Sequence, residues 1–231
     1  MEPKPAYLAQ LNAEASDPRA LGWMQGFPPS ADKQIMQPDS NFFSFPKMRW
    51  SVCHMRELMP TKAISRGLGA SVPWVYALDK NIDALSFLPL GKDQPMSFKD
   101  SLAANYTDGL IVLHKGKIVY EYYSGCLSEI GQHAAMSMTK SLTGLAAEIL
   151  IAEGKLDDKK LVADIIPELK HSAFGDATVR QVLDMTTALK YSENYAGPKA
   201  DIWQYAAAAN PMPKPSNYQG SNGYFDYLKT V

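Results

Sequence analysis

The chain has 231 residues, with 23 Lys and Arg against 24 Asp and Glu, 46% hydrophobic residues and 10% aromatic residues. That is ordinary globular composition, with enough length for a sizeable core. The formal charge of −1, with the basic residues scattered, argues against a nucleic-acid binder working through a basic face. No run approaches the roughly 20 apolar residues that a bilayer-crossing helix needs. The first twenty residues, MEPKPAYLAQLNAEASDPRA, lack a basic head followed by an apolar stretch, so no secretory signal is visible and a cytoplasmic location is expected. Cys53 and Cys126 are too few for a disulfide framework and have no neighbouring Cys for a zinc site, so two reduced thiols are expected.

Residues 1–40 read as an N-terminal arm. Pro3, Pro5, Pro18, Pro28, Pro29 and Pro38 interrupt both ladders and helices. Aromatics at Tyr7, Trp23 and Phe27, followed by Phe42, Phe43 and Phe45, point to an arm that wraps a surface. Residues 47–69 are mixed and end at Gly67 and Gly69. Short apolar pieces broken by Pro73, Pro89 and Pro95 follow up to residue 108.

The first strong element is a hairpin. Leu110-Ile111-Val112-Leu113 and Ile118 to Tyr123 are apolar and β-branched runs, separated by His114-Lys115-Gly116-Lys117, where Gly116 can take a positive φ. The first run is apolar on both faces and is placed inside a sheet. From Ser137 to Glu153 the apolar positions Met138, Leu142, Leu145, Ile149 and Leu150 recur at helical spacing, with Gly154 placed to end the helix. A second helix is read over Val179 to Met185, capped by Thr178 or Asp176. Beyond Gly197 the chain is irregular, with Pro198, Pro211, Pro213 and Pro215, until Tyr224 to Val231 opens what looks like an amphipathic helix.

Ser137-Met138-Thr139-Lys140 is the feature that carries chemistry. A serine hydroxyl is a poor nucleophile at neutral pH and needs a base beside it. On a helix, residues three apart share a face, which sets Ser137 and Lys140 one turn apart. The first turn also carries unpaired N–H groups and partial positive charge. That setting, with burial, favours a neutral Lys140 able to take the serine proton, and the Ser137 N–H can donate to a developing oxyanion. Ser-x-x-Lys alone is an unspecific spacing, and a capped helix with a surface lysine is its plain alternative.

The surrounding order makes it specific. A hairpin with a Lys-Gly turn is followed by a polar loop, then Ser-x-x-Lys at the head of a long helix ending Glu-Gly-Lys-Leu. Ile166-Pro167-Glu168-Leu169 and Thr178-Val179-Arg180-Gln181-Val182-Leu183-Asp184-Met185-Thr186-Thr187-Ala188-Leu189 come next. This series, over residues 40–231, resembles the serine β-lactamase and penicillin-binding-protein superfamily, most closely its branch of class C-like esterases and 6-aminohexanoate-dimer hydrolases. The stretches Pro46-Lys47-Met48-Arg49-Trp50, Arg56-Glu57-Leu58 and Tyr106-Thr107-Asp108-Gly109-Leu110 are similar to the N-terminal arm of that branch.

The resemblance implies an α+β fold, an antiparallel sheet flanked by a helical region, with residues 41–231 forming the N-terminal part of one hydrolase domain. It implies Ser137 as nucleophile, Lys140 as its base partner, and an acyl-enzyme route through esters or linear amides. It further implies that Tyr195, in Tyr191-Ser192-Glu193-Asn194-Tyr195, helps to bind amide substrates; a tyrosine packed on the surface is the alternative. No metal or organic cofactor is implied, and the expected partner is a small ester or amide, with no nucleic acid or membrane. A two-fold dimer is the default assembly.

His54, His114, His133 and His171 show no metal-ligand spacing, and His133, four residues before Ser137, is expected to be a polar surface residue. Met136 and Met138 are expected to be packing residues. Members of the superfamily also use a Tyr-x-Asn or Tyr-x-Ser motif, and a later strand that supplies a second oxyanion donor. Neither is found at a suitable place, so the fold is expected to be incomplete at the C-terminus and the 231-residue chain to be catalytically impaired. Two further readings follow from the same residues: a binding protein that keeps an incomplete serine pocket, and a penicillin-recognising protein.

Overall fold

The computed structural model describes residues 11–36, 42–195, 197–209, 214 and 216–231. Pro3, Pro5, Tyr7, Pro38, Pro211, Pro213 and Pro215 lie outside the described residues. The chain forms two compact units, Met1–Ala134 and Ala135–Val231.

In the first unit part of the described proline-rich segment packs, although Phe27 is fully exposed. Ile35 is buried with Trp50 and Leu58, and Trp23, Met24 and Phe42 lie against them. Helices α1 (Met48–Ser51) and α2 (Met55–Leu58) follow. Arg49 on α1 is buried and reaches three ways, donating to the Ala13 carbonyl, to Ser16 Oγ at 2.8 Å and to Asp108 Oδ1 at 3.0 Å. A buried guanidinium is tolerated because it is paired and hydrogen-bonded.

The sheet is built around the hairpin. Strand β1 (Val75–Tyr76) is short, and β2 (Ser86–Phe87) pairs antiparallel with β3 (Met96–Ser97). Helix α3 (Phe98–Ala104) starts where the Ser97 hydroxyl accepts from Asp100 N, an ordinary N-cap. Strands β4 (Gly109–His114) and β5 (Lys117–Tyr123) pair antiparallel. Lys115 and Gly116 both have positive φ, +50° and +74°, the two-residue turn whose twist matches the strands.

The strand order β1-β5-β4 corrects one expectation. Strand β5 is the central one, with Ile118 and Tyr120 buried, and the Tyr120 hydroxyl donates to Asp83 at 2.7 Å. Strand β4 is an edge among the described residues, with Ile111 45% and Leu113 49% exposed. Its apolar run suits the inside of a sheet, but β1 takes the other side of β5, and no described strand takes the other side of β4.

The cysteines are the second correction. Cys53 and Cys126 are joined in a disulfide across 73 residues, with Cα atoms 6.0 Å apart. Ala134 N donates to the Val52 carbonyl at 2.7 Å, so two consecutive positions of the 52–53 backbone are tied to the segment after β5. Beside the bridge His133 Nε2 lies 3.4 Å from Asp108 Oδ2.

In the second unit α4 (Met138–Ala152) is the long helix. It ends as expected at Gly154, φ +67°, with Gly154 N donating to Ile151 and Lys155 N to Leu150, the paired bonds of a Schellman stop. Leu142 and Leu145 are 68% and 58% exposed, and no residue of α4 is buried. Helix α5 (Val162–Ile165) precedes a 3₁₀ turn at Pro167–Leu169. Helix α6 (Val179–Leu183) is capped by Thr178, not Asp176, in a capping box with Gln181. That box satisfies two otherwise unpaired backbone donors.

Helices α7 (Asp201–Ala209) and α8 (Tyr224–Leu228) close the unit. Tyr191 meets Tyr205 and Tyr227 edge-on at 6.3 and 6.4 Å, and Tyr205 contacts Tyr224 and Tyr227. This aromatic cluster holds the 191–195 loop against both helices. No helix among the described residues is long and apolar enough to cross a membrane.

Candidate active site

Met136 stands at φ +48°, a left-handed conformation uncommon for a residue with a Cβ and found disproportionately at functional sites. It turns the chain sharply into Ser137, which already has helical angles (φ −67°, ψ −12°) as the N-cap of α4. The Ser137 side chain makes no capping bond. It accepts instead from Lys140 Nζ at 3.2 Å. The backbone reinforces the turn: Met138 N donates to Ala135, Thr139 N to Met136 and Lys140 N to Ser137. The Ser137 N–H has no partner among the described residues.

Two of the three predicted site residues are thus brought together. A hydroxyl in contact with an amine at the positive end of a 15-residue helix can pass its proton to that amine once the amine is neutral, and the helix end favours negative charge developing beside it. The burial expected around the pair is not supplied by the described residues, since Ser137 and Lys140 are both exposed.

Tyr195 sits at the end of a hydrogen-bonded loop. Ser192 N donates to Asp201 Oδ2 at 2.9 Å, and Ile202 N donates back to the Ser192 carbonyl. Its ring meets Trp203 edge-on at 5.9 Å, while the Trp203 indole N–H donates to the Gly197 carbonyl. Tyr195 is 63% exposed, and no hydrogen bond joins it to Ser137 or Lys140 among the described residues. Nearby, burial pushes the Tyr191 hydroxyl up to about 12. A groove of about 530 Å³ runs beside Trp203, Gln204, Ala207, Tyr218 and Tyr227, and neither Ser137 nor Lys140 lines it.

Arg180 is the supporting residue that sequence reasoning did not single out. Its guanidinium forks onto Glu148 of α4, Nη1 to Oε1 at 2.6 Å and Nη2 to Oε2 at 3.2 Å, while Nε donates to Asp158 at 2.9 Å. The hydrogen bond from Arg180 holds the Glu148 carboxyl below its usual range. A two-pronged pair of this kind fixes orientation as well as distance, so it sets α4 relative to α6. The partners are 32 residues apart, and only their opposite charges hint at it in the sequence.

Comparison with known proteins agrees with this architecture. Residues 100–225 match the β-lactamase family model, a span that contains Ser137, Lys140 and Tyr195. The 6-aminohexanoate-dimer hydrolase of Paenarthrobacter ureafaciens is 32% identical over 165 residues, which are 71% of this chain and 40% of that protein. A solved structure from Bacillus anthracis, to which the same enzyme name is given provisionally, superposes with a TM-score of 0.69 at 30% identity, over 80% of this chain and 48% of that one. The chain spans between two-fifths and one-half of the length of these relatives.

Proposed function

We propose, on the premise that the chain belongs to the β-lactamase family, that it carries the nucleophile of a serine hydrolase acting on esters or linear amides. The observation that carries this reading is the 3.2 Å contact between Lys140 Nζ and Ser137 Oγ at the head of α4. A neutral Lys140 takes the hydroxyl proton as Ser137 Oγ bonds to the substrate carbonyl carbon. The Ser137 N–H, at the positive end of the helix, supports the resulting oxyanion. As the oxyanion collapses, the bond to the leaving amine or alcohol breaks and the leaving group takes the proton held by Lys140. Water then cleaves the acyl-serine ester, releasing the acid and restoring the hydroxyl. Tyr195, exposed beside Trp203, is assigned to positioning of the substrate amide. The names of the relatives, 6-aminohexanoate-dimer hydrolases, support an amide of the 6-aminohexanoate-dimer kind as the amide class.

A second reading, a binding protein with an unfinished serine pocket, is favoured by the exposure of Ser137 and Lys140. Fluorophosphonate labelling separates the two. The hydrolase reading expects an adduct mapped to Ser137 and lost in Ser137→Ala. No adduct, either in this chain or in a longer product of its reading frame, overturns it. A cytoplasmic location is proposed as well; there thioredoxin and glutathione would hold Cys53 and Cys126 as thiols, and rapid alkylation of the protein in cells reads their state.

A further inference from the structure

We infer that Cys53, Cys126, His133 and Asp108 form a binding site for one Zn²⁺-like ion when the disulfide is reduced. The disulfide form is then the metal-free state of a thiol-gated site. Nothing in the proposed hydrolase chemistry uses these four residues.

The ligand atoms of Cys53, Cys126 and His133 all lie within 4.8 Å of one another. Asp108 Oδ2 lies beside two of the three, 3.4 Å from His133 Nε2 and 3.9 Å from Cys126 Sγ, and would close toward Cys53 as the ion is taken up. In a tetrahedral zinc site, bonds of about 2.0–2.3 Å place neighbouring ligand atoms roughly 3.3–3.8 Å apart. The two observed separations from Asp108, to His133 and to Cys126, are close to what one shared ion requires. Two thiolates, an imidazole and a carboxylate are also the donor types that suit zinc.

The surroundings fit as well. His133 Nδ1 lies 2.9 Å from the Ala134 carbonyl. A proton on Nδ1 donated there leaves the Nε2 lone pair facing Asp108, the tautomer that second-shell carbonyls impose on metal-binding histidines. Arg49 holds Asp108 by Oδ1 at 3.0 Å and so leaves Oδ2 turned toward the cluster. The charges balance too: two thiolates and one carboxylate against Zn²⁺ leave one negative charge, which the Arg49 guanidinium offsets. Sulfur atoms joined by a covalent bond cannot occupy two corners of such a site, so reduction must come first.

The chemistry is closed. A dithiol reductant supplies two electrons: its thiolate attacks one sulfur, the Cys53–Cys126 bond breaks, and the reductant departs as its own disulfide. Its two protons pass to Cys53 and Cys126. Zn²⁺ then forms two Zn–S bonds and releases those two protons to solvent.

The test uses the full chain in its disulfide form and after anaerobic reduction with a phosphine. Each is equilibrated with buffered Zn²⁺, and bound metal is measured by mass spectrometry. Reduced chain is expected to hold about one equivalent and the disulfide form none. Co²⁺ in place of zinc is expected to give the thiolate charge-transfer band and visible spectrum of a tetrahedral site. His133→Ala, a change at a partly exposed side chain, is expected to weaken binding by at least about tenfold, and Cys126→Ser to abolish it, with circular dichroism following the fold of each. If the reduced chain has lost structure, its recovery on adding zinc supports the site. Equal zinc uptake by the two redox forms, unchanged affinity in His133→Ala, or a reduced chain that zinc neither binds nor refolds overturns the inference.

Discussion

Lys140 Nζ and Ser137 Oγ, one helical turn apart, share a 3.2 Å hydrogen bond that takes the place of the serine's capping bond. A serine at this position would ordinarily turn its oxygen back onto the N–H groups of the first turn. Here the hydroxyl faces the amine instead, so the cost of an uncapped helix is the benefit of a positioned proton acceptor. Lys140→Ala is expected to slow acylation of Ser137 by about 10²- to 10⁴-fold, the usual worth of a general base. Lys140→Arg is expected to do the same, because a guanidinium stays protonated. The rate of fluorophosphonate labelling measures both, and labelling at the parent rate in either variant would remove Lys140 from the mechanism.

Tyr195 is expected to act on binding alone. Tyr195→Phe keeps the ring contact with Trp203 and removes the hydroxyl. For a linear amide it is expected to raise KM about fivefold, the worth of a hydrogen bond of about 1 kcal/mol, with kcat unchanged. Steady-state kinetics on an amide and on a small ester check it, since the ester should show the smaller effect.

The Glu148–Arg180 pair makes an acid-side prediction. The folded Glu148 carboxyl lies below its ordinary value of 4.5 because Arg180 donates to it. The pair's stabilisation is therefore fully present above about 4.5 and is lost as pH falls through the lowered folded value. Glu148→Gln is expected to lower the thermal midpoint at pH 7, with the difference from the parent shrinking toward pH 3. Melting curves across that range test it, and a difference independent of pH would contradict the assignment.

Reduction of Cys53–Cys126 in the absence of metal is expected to destabilise the fold by about 4 kcal/mol, the chain-entropy value for closing a loop of this length. Urea denaturation with and without a phosphine reductant measures this. Cys53→Ser should reproduce the reduced curve without any reductant. A mutant as stable as the disulfide form would show that other contacts, such as Ala134 N to the Val52 carbonyl, already hold the segment.

What could be read in the sequence was local. The Lys115-Gly116 turn, the stop at Gly154 and the Thr178 cap each depend on a few adjacent residues, so their chemistry is visible in a short window. The Ser137–Lys140 contact belongs to the same class, being fixed by helical spacing. The readings that failed or were missed depend on separation. Nothing near Leu110–Leu113 tells that β1 will dock on β5 and leave β4 at an edge. Cys53 and Cys126 lack close cysteine neighbours in sequence yet meet in space, and Arg180 finds Glu148 across 32 residues. The left-handed Met136 was also unforeseen, because a strained residue goes against its own local preference and is held by its surroundings.

The same separation sets an order in time. The outermost paired residues of the hairpin, Gly109 and Tyr123, are fourteen apart in the chain, so β4 and β5 can close on the microsecond scale typical of hairpins. The parallel register of Val75 with Lys117 has a loop three times as long to close, and its strand adds a short ladder in return, continued by Ala77 N and Asp79 N donating to the Ile118 and Val119 carbonyls. On loop length alone, β1 is expected to arrive at a ribbon already formed, which makes the Lys115-Gly116 turn the place from which the sheet would grow.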